Sequence, residues 1–189
     1  MTDRDHLNKN WPAHTSASRP CTPDEMSSRI ARWGSIPASP RAFVDTYLPG
    51  HERTLHSVIG AGVSDDPNFK PAIAAAENFH VDYIVAPPGC GAALHCHDSE
   101  EVFVAMSGTW QVSWGDQGEH QVVLNERDVI SVPPLVHRSF KNLGDRDHLL
   151  LSILGGKHPG PVMWAAPVAA AAKQHGVGFD DTGVAVQIR

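Results

Sequence analysis

From residue 79 onward, short apolar runs alternate with clusters of turn-forming residues. The runs are rich in Val, Ile, Phe and Trp, and Gly, Pro and Asp separate them: FHVDYIVA, EVFVAMS, TWQVSW, EHQVVL, DVISV, HRSFKN and HLLLSIL. Regular spacing of short strands is typical of an antiparallel sandwich or barrel. In TWQVSW, strict alternation puts Trp110, Val112 and Trp114 on one face of a predicted strand. The pattern therefore predicts an all-β core over residues 79–155.

A helical pattern precedes this core. A capping box at residues 22–25, with proline at the first helical position, begins a predicted helix that Gly34 ends. Met26, Ile30 and Trp33 share one face of this helix, and we expect that face to pack against the rest of the protein.

The sequence divides into four segments. Residues 1–20 are polar and predict a flexible N-terminal arm, and residues 21–78 form an extension of helix, strands and loops. Residues 79–155 form the β core. Residues 156–189 form a C-terminal helical tail, in which AAPVAAAAKQHG predicts a short helix ending at Gly176.

Composition excludes several classes of function. The chain has 189 residues, a formal net charge of −6 and no dense basic run, which argues against nucleic-acid binding. Its longest apolar stretch, residues 162–172, is too short to span a bilayer and contains Pro167. Three cysteines without a CxxC pair favour a reducing compartment, and the N-terminus has no apolar signal region. We expect a cytoplasmic protein.

The stretch HCHDSEE, residues 95–101, carries the strongest chemical signal. Alternate side chains of a strand point the same way, so the imidazoles of His95 and His97 can converge on one point. Glu101 has the same parity, and a tight turn at residues 98–99 can fold it back to face them. Two imidazoles and a carboxylate on one face can bind a divalent first-row metal and leave positions open for other ligands.

The glycines around this cluster complete a longer motif. In GCGAALHCHDSEEVFVAMSG, residues 89–108, the spacing G-x5-H-x-H-x3-E-x6-G resembles the first motif of the cupin superfamily at every defined position. The resemblance covers about residues 79–155 and implies an antiparallel cupin β-barrel, or jelly roll, with short helical extensions at both ends. It also implies that His95, His97 and Glu101 are metal ligands.

Downstream, RDVISVPPLVHRSFKN resembles the second cupin motif, with Asp128, Pro133, His137 and Asn142 at recognisable positions. Arg127 and Leu135 stand where glycine is usual, and His137 comes one residue early. The resemblance implies that His137 is a fourth metal ligand. If it does not bind, His95, His97 and Glu101 form a 2-His-1-carboxylate triad, which favours Fe(II).

The resemblance implies a single-domain, metal-dependent cupin with a small-molecule substrate, and small cupins are typically dimers. The first interpretation is a non-haem Fe(II) dioxygenase; Mn, Ni, Zn or Co could occupy the same ligands. A redox-neutral isomerase or lyase, in which the metal acts as a Lewis acid, is the second. A non-catalytic protein that binds a small molecule is the third, because one fold hosts many functions.

Strand parity also predicts which neighbours stay outside the site. Cys96 alternates with the two histidines and should point away from the metal, in a structural role. Arg138 alternates with His137 and should face outward, or reach a substrate carboxylate only if the strand is kinked. Tyr83, Phe103 and Trp110 could line the pocket or pack in the core, since small barrels are filled by side chains.

Overall fold

A computed structural model describes residues 19–60, 63–158 and 160–188. The chain divides into two compact units, residues 1–30 and residues 31–189. The second unit therefore contains most of the predicted extension together with the β core and the tail. Most of the predicted N-terminal arm, residues 1–18, lies outside the described residues.

The described residues form two α-helices and thirteen strands. The helices are α1 (Pro23–Ser27) and α2 (Ala166–Gln174), and 3-10 helices cover Trp33–Ser35 and Val44–Tyr47. The strands are β1 (Ala38–Ser39), β2 (Thr54–Ile59), β3 (Phe79–Ala86), β4 (His95–Cys96), β5 (Glu101–Ala105), β6 (Trp110–Trp114), β7 (His120–Leu124), β8 (Val129–Val132), β9 (Arg138–Asn142), β10 (His148–Gly155), β11 (Met163–Trp164), β12 (Val177–Phe179) and β13 (Ala185–Gln187).

These strands form two large antiparallel sheets and a small hairpin. The six-stranded sheet has the order β1-β2-β3-β10-β5-β8, and the five-stranded sheet has the order β11-β4-β9-β6-β7. β12 and β13 form a separate hairpin in the tail. This is the antiparallel jelly-roll architecture that the sequence predicts, although hydrogen bonding between the described strands does not close the two large sheets into one barrel.

The hydrophobic core joins the two large sheets. Its fully buried side chains include Phe103 and Leu150 from the first sheet and Trp110 and Val112 from the second. Phe103 and Trp110 contact the ring of Phe140 from opposite sheets, at 5.2 and 6.0 Å between ring centroids. Two of the three aromatic residues that could have lined a pocket therefore pack in the core, whereas Tyr83 is half-buried and lies against Trp33, with ring centroids 5.6 Å apart.

The first predicted helix is much shorter than its pattern indicates. The capping box is present, with Thr22 Oγ1 accepting from Glu25 N and Glu25 accepting from Thr22 N, but α1 ends at Ser27. Met26 and Ile30 remain exposed, so no buried face extends the helix beyond its cap. Trp33 belongs to the separate 3-10 turn and stacks on His56, with ring centroids 4.7 Å apart.

Candidate metal centre

His95, His97 and Glu101 meet where β4 turns into β5. His95 lies in β4, His97 follows it directly, and Glu101 is the first residue of β5. One potential ligand atom from each residue lies within 4.8 Å of the others, and all three residues are buried. Among the described residues, this is the only group of histidine, cysteine and acidic side chains with such an arrangement.

The backbone fixes the orientation of His95. Its Nδ1 lies 2.7 Å from the carbonyl oxygen of Ala93, an arrangement that requires a proton on Nδ1 and leaves the lone pair of Nε2 free. The amide of Ala93 in turn donates to Asp45 Oδ2 at 2.8 Å. Burial, with His97 alongside, holds the pKa of His95 well below its usual value. Burial also lowers the pKa of His97. Both rings are therefore neutral near pH 7, as ligation requires.

Two neighbours hold the carboxylate of Glu101. Ser152 donates to Oε1 at 2.7 Å, and Arg138 Nε donates to Oε2 at 3.0 Å. Oε2 also lies 3.8 Å from Nε2 of His97. A carboxylate has about four lone-pair sites, so these two hydrogen bonds leave each oxygen able to accept again. The donor set fits a divalent ion: two neutral imidazoles and an oriented carboxylate with unused lone pairs.

The structure does not bring His137 to this group. Its Nδ1 lies 3.7 Å from Oδ1 of the exposed Asp116. Arg138 begins β9, pairs directly with His95 and is fully buried. Directly paired residues of antiparallel strands share a face, so Arg138 points to the cluster and His137 points away from it. The prediction that Arg138 faces outward is therefore wrong, because the pairing of β9 with β4 places Arg138, and not His137, on the face of the sheet that carries His95.

A small cavity of about 30 Å³ adjoins the cluster. Its wall combines the three candidate ligands with apolar side chains from several elements, among them Phe43, Leu55, Ile84, Phe140, Val162 and Trp164. Arg53 also reaches the wall, where Asp45 neutralises it through two hydrogen bonds of 2.9 and 2.8 Å. The candidate ligands therefore border a small space whose wall is otherwise largely apolar.

Asp82 is the remaining acidic group of the cavity wall. Oδ1 of Asp82 is buried and has no hydrogen-bond partner in the described part of the chain. Burial raises the pKa of Asp82 to about 7, although a hydrogen bond with Ser57 opposes the shift. At neutral pH this carboxyl can therefore either donate or accept a proton on the side of the cavity.

Sequence reasoning missed Asp82, Ser152 and the inward position of Arg138. Asp82 and Ser152 are directly paired between β3 and β10, and both are buried. Each had a visible signal: one acid within FHVDYIVA and one hydroxyl within HLLLSIL, both in otherwise apolar runs. A polar side chain on the buried face of a strand needs a partner, so such interruptions indicate a polar site in the sheet.

Cys96 and Asn142 take no part in the cluster. Cys96 is buried in β4 on the opposite parity from His95, consistent with the predicted structural role. Asn142 is fully buried and donates from Nδ2 to the carbonyl oxygens of Ala86 and Arg146, while its Oδ1 accepts from Gly144. Its side chain therefore ties together the backbone at Ala86, Gly144 and Arg146.

Comparison with known proteins supports the fold. Residues 82–154 match a family model described as "Cupin domain". No curated protein matches the chain. None of the helices in the described ranges is long and apolar enough to cross a membrane.

Solved structures share this architecture at low sequence identity. The polyketide cyclase RemF from Streptomyces resistomycificus has a TM-score of 0.53 and 14% identity, covering 71% of this chain and 82% of that one. An RmlC-like cupin from Shewanella frigidimarina has a TM-score of 0.47 and 13% identity, covering 67% and 89%. Oxalate decarboxylase from Lactobacillus farciminis has a TM-score of 0.48 and 16% identity, covering 63% and 33%. At 14% identity, the similarity to RemF concerns the fold alone.

Proposed function

Because residues 82–154 match the cupin-domain model, we propose that this chain binds one divalent metal ion through His95, His97 and Glu101. We further propose that it acts as a non-haem Fe(II) dioxygenase on a small organic molecule. One observation carries the proposal: two neutral imidazoles and a carboxylate lie together, buried, on the wall of a largely apolar cavity. A 2-His-1-carboxylate set with open positions favours Fe(II).

The metal would supply the chemistry that these side chains lack: Fe(II) would activate O2, whereas a redox-inert ion would polarise a carbonyl or carboxylate. The chain itself supplies orientation and shielding. The Ala93 carbonyl fixes the ring of His95, and Ser152 and Arg138 fix Glu101. Apolar side chains make up much of the wall, and an apolar wall around a bound ligand would limit contact with water and so strengthen electrostatic interactions.

A redox-neutral isomerase or lyase is a second candidate, and Asp82 favours it. Oδ1 of Asp82 lies in the cavity wall and has no partner among the described residues. A carboxyl with a pKa of about 7 suits the transfer of a proton to or from a bound substrate. Proton transfer of this kind is required in both isomerisation and elimination.

Metal binding is tested first, by elemental analysis of purified protein and by Co(II) titration. We expect one ion per chain in the wild type. Replacing His95 or His97 by Ala should weaken binding by more than the roughly 10–100-fold that loss of an outer-shell partner costs. The matched control is His137→Ala, which should keep its metal. Full occupancy in both H95A and H97A would refute the site.

Oxygen uptake separates the two catalytic candidates. The protein loaded with Fe(II) or with Zn(II) is incubated with a panel of small organic acids, and O2 consumption and product formation are followed. Substrate-dependent O2 uptake with Fe(II) alone supports the dioxygenase. Turnover with Zn(II) and without O2 uptake supports the isomerase or lyase instead.

A further inference from the structure

A second pocket lies on the outer face of the five-stranded sheet. Its volume is about 240 Å³, which makes it larger than the space of about 30 Å³ beside the candidate metal ligands. Its floor contains polar residues from two directly paired positions of β6 and β9: Gln111 with Lys141, and Ser113 with Ser139. Directly paired residues share a face, and their neighbours Val112 and Phe140 occupy the other face, in the hydrophobic core.

The walls of this outer pocket are fixed by the backbone. His51 lines the pocket, and its Nδ1 lies 3.0 Å from the carbonyl oxygen of Gly91. The loop at Gly91 packs directly on β9, because a Cβ at this position would lie only 1.9 Å from the carbonyl oxygen of Phe140. Leu94 and Val168 add apolar surface to the wall. The pocket is therefore a concave site with a defined wall and not an open stretch of sheet.

The floor of the outer pocket has hydrogen-bond donors to spare. Nε2 of Gln111 donates to Oγ of Ser113, which is 7% exposed, at 3.0 Å. This bond uses one of the three donors of the pair, so two remain in either orientation of the amide. No acidic residue lines the pocket, and no ion pair between described residues involves Lys141. The outer pocket therefore offers one positive charge and several free donors.

These donors fit a phosphoryl group better than a carboxylate. Neighbouring strands are about 5 Å apart, and residues two positions apart on one strand are about 7 Å apart, so the floor side chains approach a ligand from different directions. A phosphoryl group has three strong acceptor oxygens in a tetrahedral arrangement, whereas a carboxylate has two oxygens in one plane. Leu94 and Val168 could cover the organic part of a phosphomonoester.

We propose that the outer pocket binds the phosphoryl group of a small molecule. Lys141 supplies the positive charge, and three neutral residues supply hydrogen bonds: Gln111, Ser113 and Ser139. The site lies on the opposite face of the sheet from the core, and it does not depend on the proposed metal ion.

Calorimetric titration with inorganic phosphate and with glycerol 3-phosphate tests this assignment. We expect the wild-type protein to bind at least one of them. Lys141→Gln should weaken binding at least about tenfold, because a charge-assisted hydrogen bond is lost. Gln111→Leu leaves the net charge unchanged and should weaken binding about two- to tenfold. Lys173→Gln is the matched control, because it removes an exposed lysine of α2 that does not line the pocket; it should leave the affinity unchanged.

The outcomes separate the outer pocket from other ways of holding phosphate. Binding of either probe that is weakened in Lys141→Gln and in Gln111→Leu supports the proposal, and the tighter probe shows whether the pocket prefers the free ion or the ester. Unchanged affinity in Lys141→Gln would overturn it, since phosphate held elsewhere, including at a metal ion, would not depend on this lysine. Equal losses in Lys141→Gln and Lys173→Gln would show only general charge attraction and would also overturn it.

Two further results would overturn the proposal. The first is wild-type protein that binds neither probe at millimolar concentrations. The second is a loss in Lys141→Gln without any loss in Gln111→Leu, because the anion would then be held by the lysine alone. Lys141 is exposed, so its variant should fold; if Gln111→Leu does not fold, Ser139→Ala takes its place with the same expected loss.

Discussion

At the scale of single residues, the candidate centre depends on outer contacts as much as on its ligands. Ser152 contributes one hydroxyl, 2.7 Å from Glu101 Oε1. It reaches that oxygen because β10 and β5 are paired, with Leu154 opposite Glu101 and Ser152 opposite Phe103. The Ser152 hydroxyl therefore holds one oxygen of the Glu101 carboxylate, and Arg138 holds the other. Removing either contact should let the ligand rotate without removing the ligand itself.

Ser152→Ala tests this contribution. We expect metal affinity to fall about tenfold, since an oriented ligand loses its outer-shell partner. The free energy of unfolding should fall by about 1 kcal/mol, because a buried hydrogen bond is lost. Metal titration and urea unfolding measure the two effects. Ser139→Ala, on the outward-facing side of β9, is the control; a Ser152→Ala protein with wild-type metal affinity would contradict the argument.

At the scale of elements, the turns on either side of β8 determine how β9 enters the site. Arg127 and Leu135 have φ angles of 77° and 62°, and they are the only described non-glycine residues with positive φ. The amide of Leu135 donates to the carbonyl of His97 at 2.7 Å, which ties this turn to a candidate ligand. Glycine is usual at both positions in the cupin motif. The chain therefore has a left-handed backbone at both positions, with side chains that disfavour it.

Replacing either residue with glycine should stabilise the protein. Relief of the left-handed conformation is worth about 1–2 kcal/mol, and the greater entropy of an unfolded glycine removes about half of that gain. We expect the free energy of unfolding to rise by about 0.5–1 kcal/mol in Arg127→Gly and in Leu135→Gly. Thermal unfolding measures the change.

Leu143→Gly is the matched control for Leu135→Gly. Leu143 is also an exposed leucine, but its φ is not positive, so glycine there should destabilise the protein. A loss of stability in both Leu135→Gly and Arg127→Gly would show that the two side chains contribute more than their backbone strain costs.

At the scale of the whole molecule, several histidines are wholly or partly buried. His56, His80, His95 and His97 all have a pKa lowered by burial. A buried imidazole that stays neutral in the folded protein takes up its proton only on unfolding. Its contribution to stability is therefore complete above the unfolded pKa, near 6.5, and is lost as pH falls below that value.

Asp82 acts in the opposite direction. Its folded pKa of about 7 is above that of the unfolded chain, so its proton favours the folded state at low pH, and this benefit is lost as pH rises toward 7. The four imidazoles outnumber this one carboxyl. We therefore expect the metal-free protein to lose stability between pH 6.5 and pH 5.

His80→Leu isolates one of these groups, because His80 is 2% exposed and lies away from the candidate ligands in sequence. In this variant the free energy of unfolding should fall less steeply as the pH drops below 6.5. The difference from the wild-type slope should be up to about 1.4 kcal/mol per pH unit. Urea unfolding of the metal-free protein at several pH values measures it. His120→Leu, at an exposed position, is the control and should leave the slope unchanged; an unchanged slope in His80→Leu would contradict the prediction.

The sequence by itself determined the strands and the first half of the site. β3, β6 and β9 fall within the apolar runs, because alternation along a strand is a local property. The spacing of His95, His97 and Glu101 predicted their convergence for the same reason: parity within a strand and one short turn are sufficient to bring them together.

The tertiary structure decided which side chains of other strands reach the candidate site. Arg138, and not His137, faces the cluster, because the register between β9 and β4 depends on the turn at Leu135 and not on spacing within the motif. Ser152 reaches Glu101 only through sheet pairing. The first helix ends at Ser27 because a capping box starts a helix, but only packing of its apolar face could have extended it. Local patterns fix which way a side chain points within its own strand, whereas its neighbours across the sheet are fixed only by long-range pairing.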